Sequence, residues 1–490
     1  MNIRAILNVV GILLILLAVI LILPIVVALI YDDPAIPGHM GETSAFGLAS
    51  FLSGACGVFM WKMFPSGIDH LRDREGFAIV GFAWITIVFF GAIPLFLTGS
   101  CPEFVDAYFE SMSGFTTTGA SVLTAIDHLP HGILFWRNLM QWMGGMGIIL
   151  LSLAIFPALG IGSFHLFKAE NPGGSTVERM LPRLAETAKV LWKTYVVLTL
   201  AEMVLLMIGG MSGFDALCHS FSTVATGGFS THTASVAHFD NLYFEAVIGI
   251  FMVLGGINFA LHYHLLHGNL KVVLDNPELR FYLGLLAVGI VLATIGLNHH
   301  FPEYGIGQSL RYASFNVVSI NTTTGYATHD FNMWPGYLKL FLLIIMMIGG
   351  CAGSTSGSFK AIRIIILFKV IMREFQKLIH PRAVIPIKVA GKTLDPDHVM
   401  NVVALSGLFI GIATFSSLCL TFIGVDLTSS VSASIATLFN IGPGLGSVGP
   451  AANYAEMPML GKWMLTLWML MGRLEIFGIM LLFLPVTWRK

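Results

Sequence analysis

Four short stretches of this chain carry the residue types that can bind a dehydrated cation through backbone oxygen: Thr117-Thr118-Gly119-Ala120-Ser121, Ala225-Thr226-Gly227-Gly228-Phe229, Thr323-Thr324-Gly325-Tyr326-Ala327 and Asn440-Ile441-Gly442-Pro443-Gly444. A cation stripped of water needs several oxygen ligands, and rings of carbonyls supply them where side chains would be too bulky or too strongly charged. Turning successive carbonyls toward one axis demands backbone angles that glycine adopts without strain. The central glycines are read as Gly119, Gly227, Gly325 and Gly442. The candidate ligand set is Thr117, Thr118, Gly119, Ala225, Thr226, Gly227, Thr323, Thr324, Gly325, Asn440, Ile441 and Gly442. Glycine and threonine also mark close packing of membrane helices, and that reading suffices for a single copy. Four copies in register favour a filter.

Such strands must be held by something that crosses a bilayer. Hydrophobic residues make up 56% of the 490, charged residues 11%, and the mean hydropathy is +0.82, which leaves too little polar surface for a water-soluble globule. Windows of about 20 apolar residues fall near 6–30, 43–63, 77–98, 133–160, 190–211, 243–266, 281–297, 337–368, 400–424 and 460–485. The run from Ile6 to Ile30 exceeds the core of a signal peptide and reads as a retained first helix. The last eight windows form four pairs, each enclosing one glycine phrase and a short helix candidate: 104–115, 214–224, 308–320 and 428–439. A helix of about 12 residues is roughly 18 Å long, too short to cross a ~30 Å core, so these segments must enter and return. Irregular backbone at that depth is tolerated only where it lines water or is buried in protein, and the helix before each phrase would aim its negative end at the cavity.

The expected fold class is an all-α integral membrane protein of four helix–pore–helix repeats around one pore, after two N-terminal transmembrane helices. The expected boundaries are 1–70 for the N-terminal helices and 71–165, 185–270, 278–375 and 395–490 for the repeats. Charge placement supports this topology, because cytoplasmic loops are enriched in Lys and Arg. With the N-terminus inside, the inner segments hold Arg4, Lys62, Arg72, Arg74, Lys168, Arg179, Arg183, Lys189, Lys193, Lys271, Arg280, Lys369, Arg373, Lys377, Arg382, Lys388, Lys392, Arg489 and Lys490. The outer segments hold acids such as Asp32, Glu42, Asp127, Asp215, Asp240, Asp330 and Asp426, with Arg311 the main basic exception. Both termini are expected in the cytoplasm. The near-neutral charge gives no sign of a nucleic-acid partner, and the five scattered cysteines indicate neither a disulfide framework nor a zinc site.

With Phe115 to Ala120, Val224 to Phe229, Ser319 to Tyr326 and Asn440 to Gly446 in view, the chain resembles, over nearly its whole length, the superfamily of potassium transporters that includes the bacterial Trk and Ktr membrane subunits and the plant high-affinity potassium transporters. The two extra N-terminal spans look more like the Trk subunit than the shorter Ktr subunit. The resemblance implies uptake of potassium across the bacterial inner membrane, and a homodimer with one pore per subunit. It also implies a cytosolic ring of regulatory subunits that bind NAD or ATP, docked on the basic inner loops around 168–193 and 369–392. In that superfamily glycine at all four central positions goes with potassium transport. None of the four strands reads Thr-Val-Gly-Tyr-Gly, so the expected discrimination against sodium is modest.

Two further features concern control. Gly349, Gly350, Gly353, Ser354, Thr355, Ser356 and Gly357 belong to a run of small residues with little helix propensity in mid-span, which should break the helix. A GxxxG packing contact through Gly353 and Gly357 is the alternative. The resemblance implies a flexible loop that obstructs the pore beneath the filter. Arg473 lies within the final apolar window, where an ionised side chain costs at least about 2.5–3.5 kcal/mol unless paired or hydrated. A structural pair with Glu475 or with carbonyls of 349–358 is one reading, and the resemblance implies an electrostatic barrier below the filter. Glu202, also within a span, is expected in a buried pair, and His262, His264 and His267 as an interfacial cluster. Lys360 follows the small-residue run without Walker spacing, and no GxGxxG, HExxH or GxSxG motif supports an enzyme or a nucleotide site on this chain. The expected cargo is potassium, with no bound cofactor. Coupling to protons or sodium, or a weakly selective potassium/sodium path, stands as the alternative.

Overall fold

The computed structural model describes residues 2–65, 73–147, 181–483 and 485. Arg72, Lys168, Arg179, Arg489 and Lys490 of the charge pattern lie outside these residues, as do part of the first expected repeat and half of the segment 168–193. Among the described residues the regular structure is helical apart from a hairpin of Lys388–Val389 with Lys392–Thr393 in a basic segment.

A helix over Ile3–Ile20 steps at Leu21 into Ile22–Tyr31 and packs along Glu42–Met63. Between lipid-exposed helices apolar contact gives little driving force, so small residues and hydroxyl hydrogen bonds hold the pair. Gly11 faces Gly57, where a Cβ would fall 2.7 Å from the Gly11 oxygen. The Ser53 and Ser50 hydroxyls donate to the carbonyls of Leu14 and Ala18, and the Asn8 amide to that of Trp61.

Beyond this pair one order of elements recurs. The long helices are Asp73–Leu97, Leu181–Ile208, Pro277–His300 and Pro396–Phe422. Short helices follow at Phe104–Phe115, Gly213–Val224, Gly305–Asn321 and Leu427–Leu438. Their starts are capped where the sequence allows: the Ser212 and Asp426 side chains accept from the N–H groups of Asp215 and Ser429. An extended segment carrying the glycine phrase comes next, then a returning helix: His131–Gly145, Leu242–Gly255, Gly336–Met346 and Met459–Arg473. Arg311, the basic exception on the acidic face, pairs with Glu245 and Asp240 there.

The returning helices correct the sequence reading. Continuous spans were expected over 133–160, 243–266 and 460–485, with a break only in the third. All four returning helices instead stop after 11–15 residues, about 16–22 Å, short of a ~30 Å core. The second bends by 104° into Phe259–Leu266. The third opens into a loop from Met347 to Lys360, and the fourth turns at Glu475 and Ile476, both at positive φ. Among the described residues six helices are long and apolar enough to span, or seven with the bent pair, against ten apolar windows. A hydropathy window averages across such breaks. Their common sequence mark is a pair at each helix end: Gly144-Gly145, Gly255-Gly256, Gly349-Gly350 and Gly472-Arg473.

Gly57→Val would wedge a branched side chain into the first helix pair. We expect a loss of about 1–3 kcal/mol, read as a lower unfolding temperature of the detergent-solubilised protein.

Candidate functional site

Each short helix ends in the same way. Thr117, Thr226, Thr323 and Asn440 take left-handed φ values of 53°, 53°, 62° and 55°. Their N–H groups donate to the carbonyls of Gly114, Thr223, Ile320 and Thr437, and the next N–H in each strand donates five residues back, to Ser113, Ser222, Ser319 and Ala436. This is a Schellman-type cap, in which glycine is the usual left-handed residue. A β-branched threonine there carries strain of about 1–3 kcal/mol, which persists only where the surroundings over-determine it.

The glycines two residues on close a ring. Gly119, Gly228, Gly325 and Gly442 all have positive φ, at 80°, 80°, 84° and 98°. A Cβ on any of them would fall within 2.7 Å of a carbonyl oxygen of the neighbouring strand: Gly119 against Gly227, Gly228 against Thr324, Gly325 against Ile441, and Gly442 against Thr118. The contacts run from strand one to two, three, four and back to one. This corrects the register of the second strand: Gly228 is the counterpart of Gly119, Gly325 and Gly442, while Gly227 matches Thr118, Thr324 and Ile441. The error arose because two adjacent glycines look alike until the backbone angles separate them. Gly227 remains in the ring through its carbonyl, and Ala225 precedes it as the last turn of the helix.

A cavity of about 150 Å³ opens on one side of this ring and is lined by Gly119, Gly228, Gly325 and Gly442 together. Beside it the hydroxyl of Thr233, a residue that lines the cavity, holds the Asp127 carboxyl down to about 2. This acid therefore stays ionised at neutral pH, a charge that favours cations nearby.

Behind the strands stand residues that sequence reasoning missed. The fully buried Glu110 and Arg137 pair at 2.7 Å. Glu110 also accepts from Ser121 and from the N–H of Val122, while Arg137 donates to the Ser230 carbonyl and lies over the Phe229 ring. The pair thus ties the first strand to the second. Gln141 donates to the Gly227 carbonyl and accepts from the Phe229 N–H, and the Tyr454 hydroxyl donates to the Gly442 carbonyl. Two opposite charges inside apolar stretches were the available signal for Glu110 and Arg137.

On the other side the glycine pairs converge. A Cβ on Gly144, Gly255 or Gly472 would meet, within 3.1 Å, the carbonyl of Phe115, Val224 or Leu438, in each case the residue two before the left-handed one. At Gly349 the Gly357 oxygen of the loop takes that place. The loop is not helical, so a GxxxG helix contact through Gly353 and Gly357 is excluded. Instead it is tied under the strands. The Gly349 N–H donates to the Phe359 carbonyl, the Gly350 N–H to the Ser356 hydroxyl, and the Gly357 N–H to the Thr323 hydroxyl, which also lies 3.2 Å from that of Ser356. Thr355 bonds to Val224 and Gly255, Ser354 bonds to Cys351, and the Gly353 carbonyl accepts from Phe259.

Arg473 stands where the other returning helices have Gly145, Gly256 and Gly350. Its guanidinium donates to the carbonyls of Thr355 in the loop and of Gly144 and Gly145 across the axis. The carbonyl alternative for this side chain is therefore observed, and Glu475 pairs with Arg363 instead. Arg473, Lys360 and Arg363 line a second cavity, of about 340 Å³, together with Gly353, Ser356 and Gly357. Two expectations change. Glu202 is fully buried with no ion pair among the described residues, and His262 is a largely buried partner of the Leu254 carbonyl at the helix break rather than part of an interfacial cluster.

Fold and site together define a multi-pass membrane protein in which four glycine-bearing strands meet in a ring, with a cavity on one face and a loop and the Arg473 guanidinium on the other. The TrkH family model, described as cation transport protein, matches residues 55–489. The chain is 44% identical to the Trk system potassium uptake protein TrkH of Salmonella typhimurium and 43% to that of Escherichia coli K12, each across 100% of both chains. The crystal structure of the potassium transporter TrkH from Vibrio parahaemolyticus is similar with a TM-score of 0.89 and 38% identity, again covering both chains fully. The chain belongs to the TrkH family of cation transport proteins.

Two predictions follow from this geometry. Gly228→Ala sets a methyl against a neighbouring backbone oxygen, whereas Gly227→Ala only presses on the Gln141 side chain. The first should lower potassium affinity in a binding or flux assay by about tenfold or more, in line with the ~1–3 kcal/mol cost of overpacking, and the second clearly less. Arg137→Leu strands a buried carboxylate and should cost about 3–5 kcal/mol, measured as lost folded yield and a lower unfolding temperature; Glu110→Gln, which keeps acceptor capacity, should cost less.

Proposed function

We propose that this chain takes up potassium across the cytoplasmic membrane through a gated pore, and that the four strands form its filter. The cyclic contact of Gly119, Gly228, Gly325 and Gly442 with the carbonyls of Gly227, Thr324, Ile441 and Thr118 carries this reading. Potassium enters from the cavity at the ring, exchanges water for carbonyl oxygen, and meets the 347–360 loop and Arg473 below. The pore is built from four repeats with boundaries near 71–165, 185–270, 278–375 and 395–490, behind the N-terminal pair at 1–70. The acid-rich mouth faces outward and both termini lie in the cytoplasm, in keeping with the basic inner segments.

The gate works by sterics and charge together. The loop fills the axis beneath Thr323, and Arg473 places a fixed positive charge there, so both must move for a cation to pass. Relatives named as members of a Trk system support assembly with other components. The reading assigns this chain to a homodimer, with lipid around it and a cytosolic ring of nucleotide-binding subunits docked on the basic segments 168–193 and 369–392. The chain itself catalyses no reaction and holds no cofactor; potassium is its cargo, and nucleotide control comes from the ring.

Potassium flux into proteoliposomes tests this. Gly325→Ser should reduce selectivity for potassium over sodium, deletion of 350–356 should raise basal flux, and Arg473→Ala should raise it as well. Unchanged selectivity and flux in all three would reject the assignment.

A further inference from the structure

On the acid-rich mouth, Asp127, His232 and His238 place a carboxylate oxygen and two imidazole nitrogens within 4.8 Å of one another. Asp127 sits in the turn Ile126–His128 after the first strand, while after the second His232 lies before the turn Ser235–Phe239 and His238 within it. His232 Nδ1 is 3.0 Å from Asp127 Oδ1, and the two imidazoles stack at 3.6 Å with planes 4° from parallel. The other Asp127 oxygen accepts from the hydroxyl and N–H of Thr233, so Oδ1, which now faces His232 Nδ1, is the oxygen a metal would take. The far nitrogen of His232, Nε2, lies 3.7 Å from Asp215, whose carboxylate is itself held by Ser212 and Thr231.

We propose that Asp127, His232 and His238 form a site for a divalent transition metal of the zinc type at the outer mouth of the pore. Two imidazoles and one carboxylate suit such an ion, while hard cations such as magnesium and calcium prefer all-oxygen shells. Three protein ligands leave a fourth tetrahedral position to water. Asp215, 3.7 Å from His232 Nε2, adds a carboxylate charge beside the site, where an outer carboxylate commonly supports a metal-bound histidine. The ion takes the place of the present His232–Asp127 contact, with Nδ1 and Oδ1 turned to it as lone-pair donors. The site joins the turns that follow two different strands, and His232 also lines the cavity bounded by Gly119, Gly228 and Gly325. Occupancy turns a local negative charge positive at the entrance and slows cation entry; this last step rests on the pore reading above, whereas the site does not.

Calorimetry with Zn²⁺, and visible absorption with Co²⁺, on the purified full-length protein test the site without any transport. One ion per chain with a tetrahedral Co²⁺ spectrum is expected, and His238→Ala or Asp127→Asn should each weaken binding by at least about tenfold, the scale of a lost supporting contact. Equal affinity in wild type and both variants, or no stoichiometric binding, overturns the site. In proteoliposomes external Zn²⁺ should slow potassium flux through wild type and not through His238→Ala, whose basal flux stays normal. Binding without this effect overturns the action at the mouth. Absence of potassium flux in every protein rejects the pore reading while leaving the binding result to decide the site.

Discussion

Backbone that leaves helical geometry at membrane depth must have every polar group satisfied or turned toward water, and the molecule is organised around that demand. At each strand the first two N–H groups are retained by the helix before it, through the same three-back and five-back hydrogen bonds. The carbonyls that follow have no such partner along their own strand. They instead fill the space left by the missing Cβ of the next strand's glycine, so four separate segments become one ring. The strain at Thr117, Thr226 and Thr323 is the local cost of that arrangement. Gln141, Tyr454 and the Glu110–Arg137 pair brace the ring from behind, where a shift of one strand would break several buried hydrogen bonds at once.

In the proposed pore, closure would come from breaking the symmetry that makes the ring. The first, second and fourth returning helices each bring a glycine, Gly144, Gly255 or Gly472, against a carbonyl at the end of a short helix. The third adds the loop from Met347 to Lys360, and the fourth replaces its second glycine with Arg473. Loop and guanidinium are bonded to each other and to Gly144, Gly145, Gly255 and Val224. The obstruction is therefore a hydrogen-bonded plug rather than a loose tether. Charge concentrates there too, since Lys360 and Arg363 share the cavity with Arg473.

Much of this was legible in the chain because it repeats. The short helices appear within three residues of the expected 104–115, 214–224, 308–320 and 428–439, since apolar windows bracket each one and small residues end it. The breaks in the second and fourth returning helices were not legible, because Gly255-Gly256 and Gly472-Arg473 interrupt runs that stay apolar on average. Gln141, Glu110 and Arg137 gave only the weak signal of polar groups in apolar surroundings, and their partners lie up to 93 residues away.

The sequence by itself determined that the chain lives in a membrane and where short helices and glycine phrases alternate with long apolar helices. These follow from hydrophobicity, helix length and glycine, all local properties. Only the tertiary structure decided which of two adjacent glycines, Gly227 or Gly228, belongs to the ring, and that Arg473 bonds to carbonyls of the loop and of the first returning helix while Glu475 turns to Arg363. Those outcomes depend on how distant segments meet, and contact between residues hundreds of positions apart leaves no mark in local pattern.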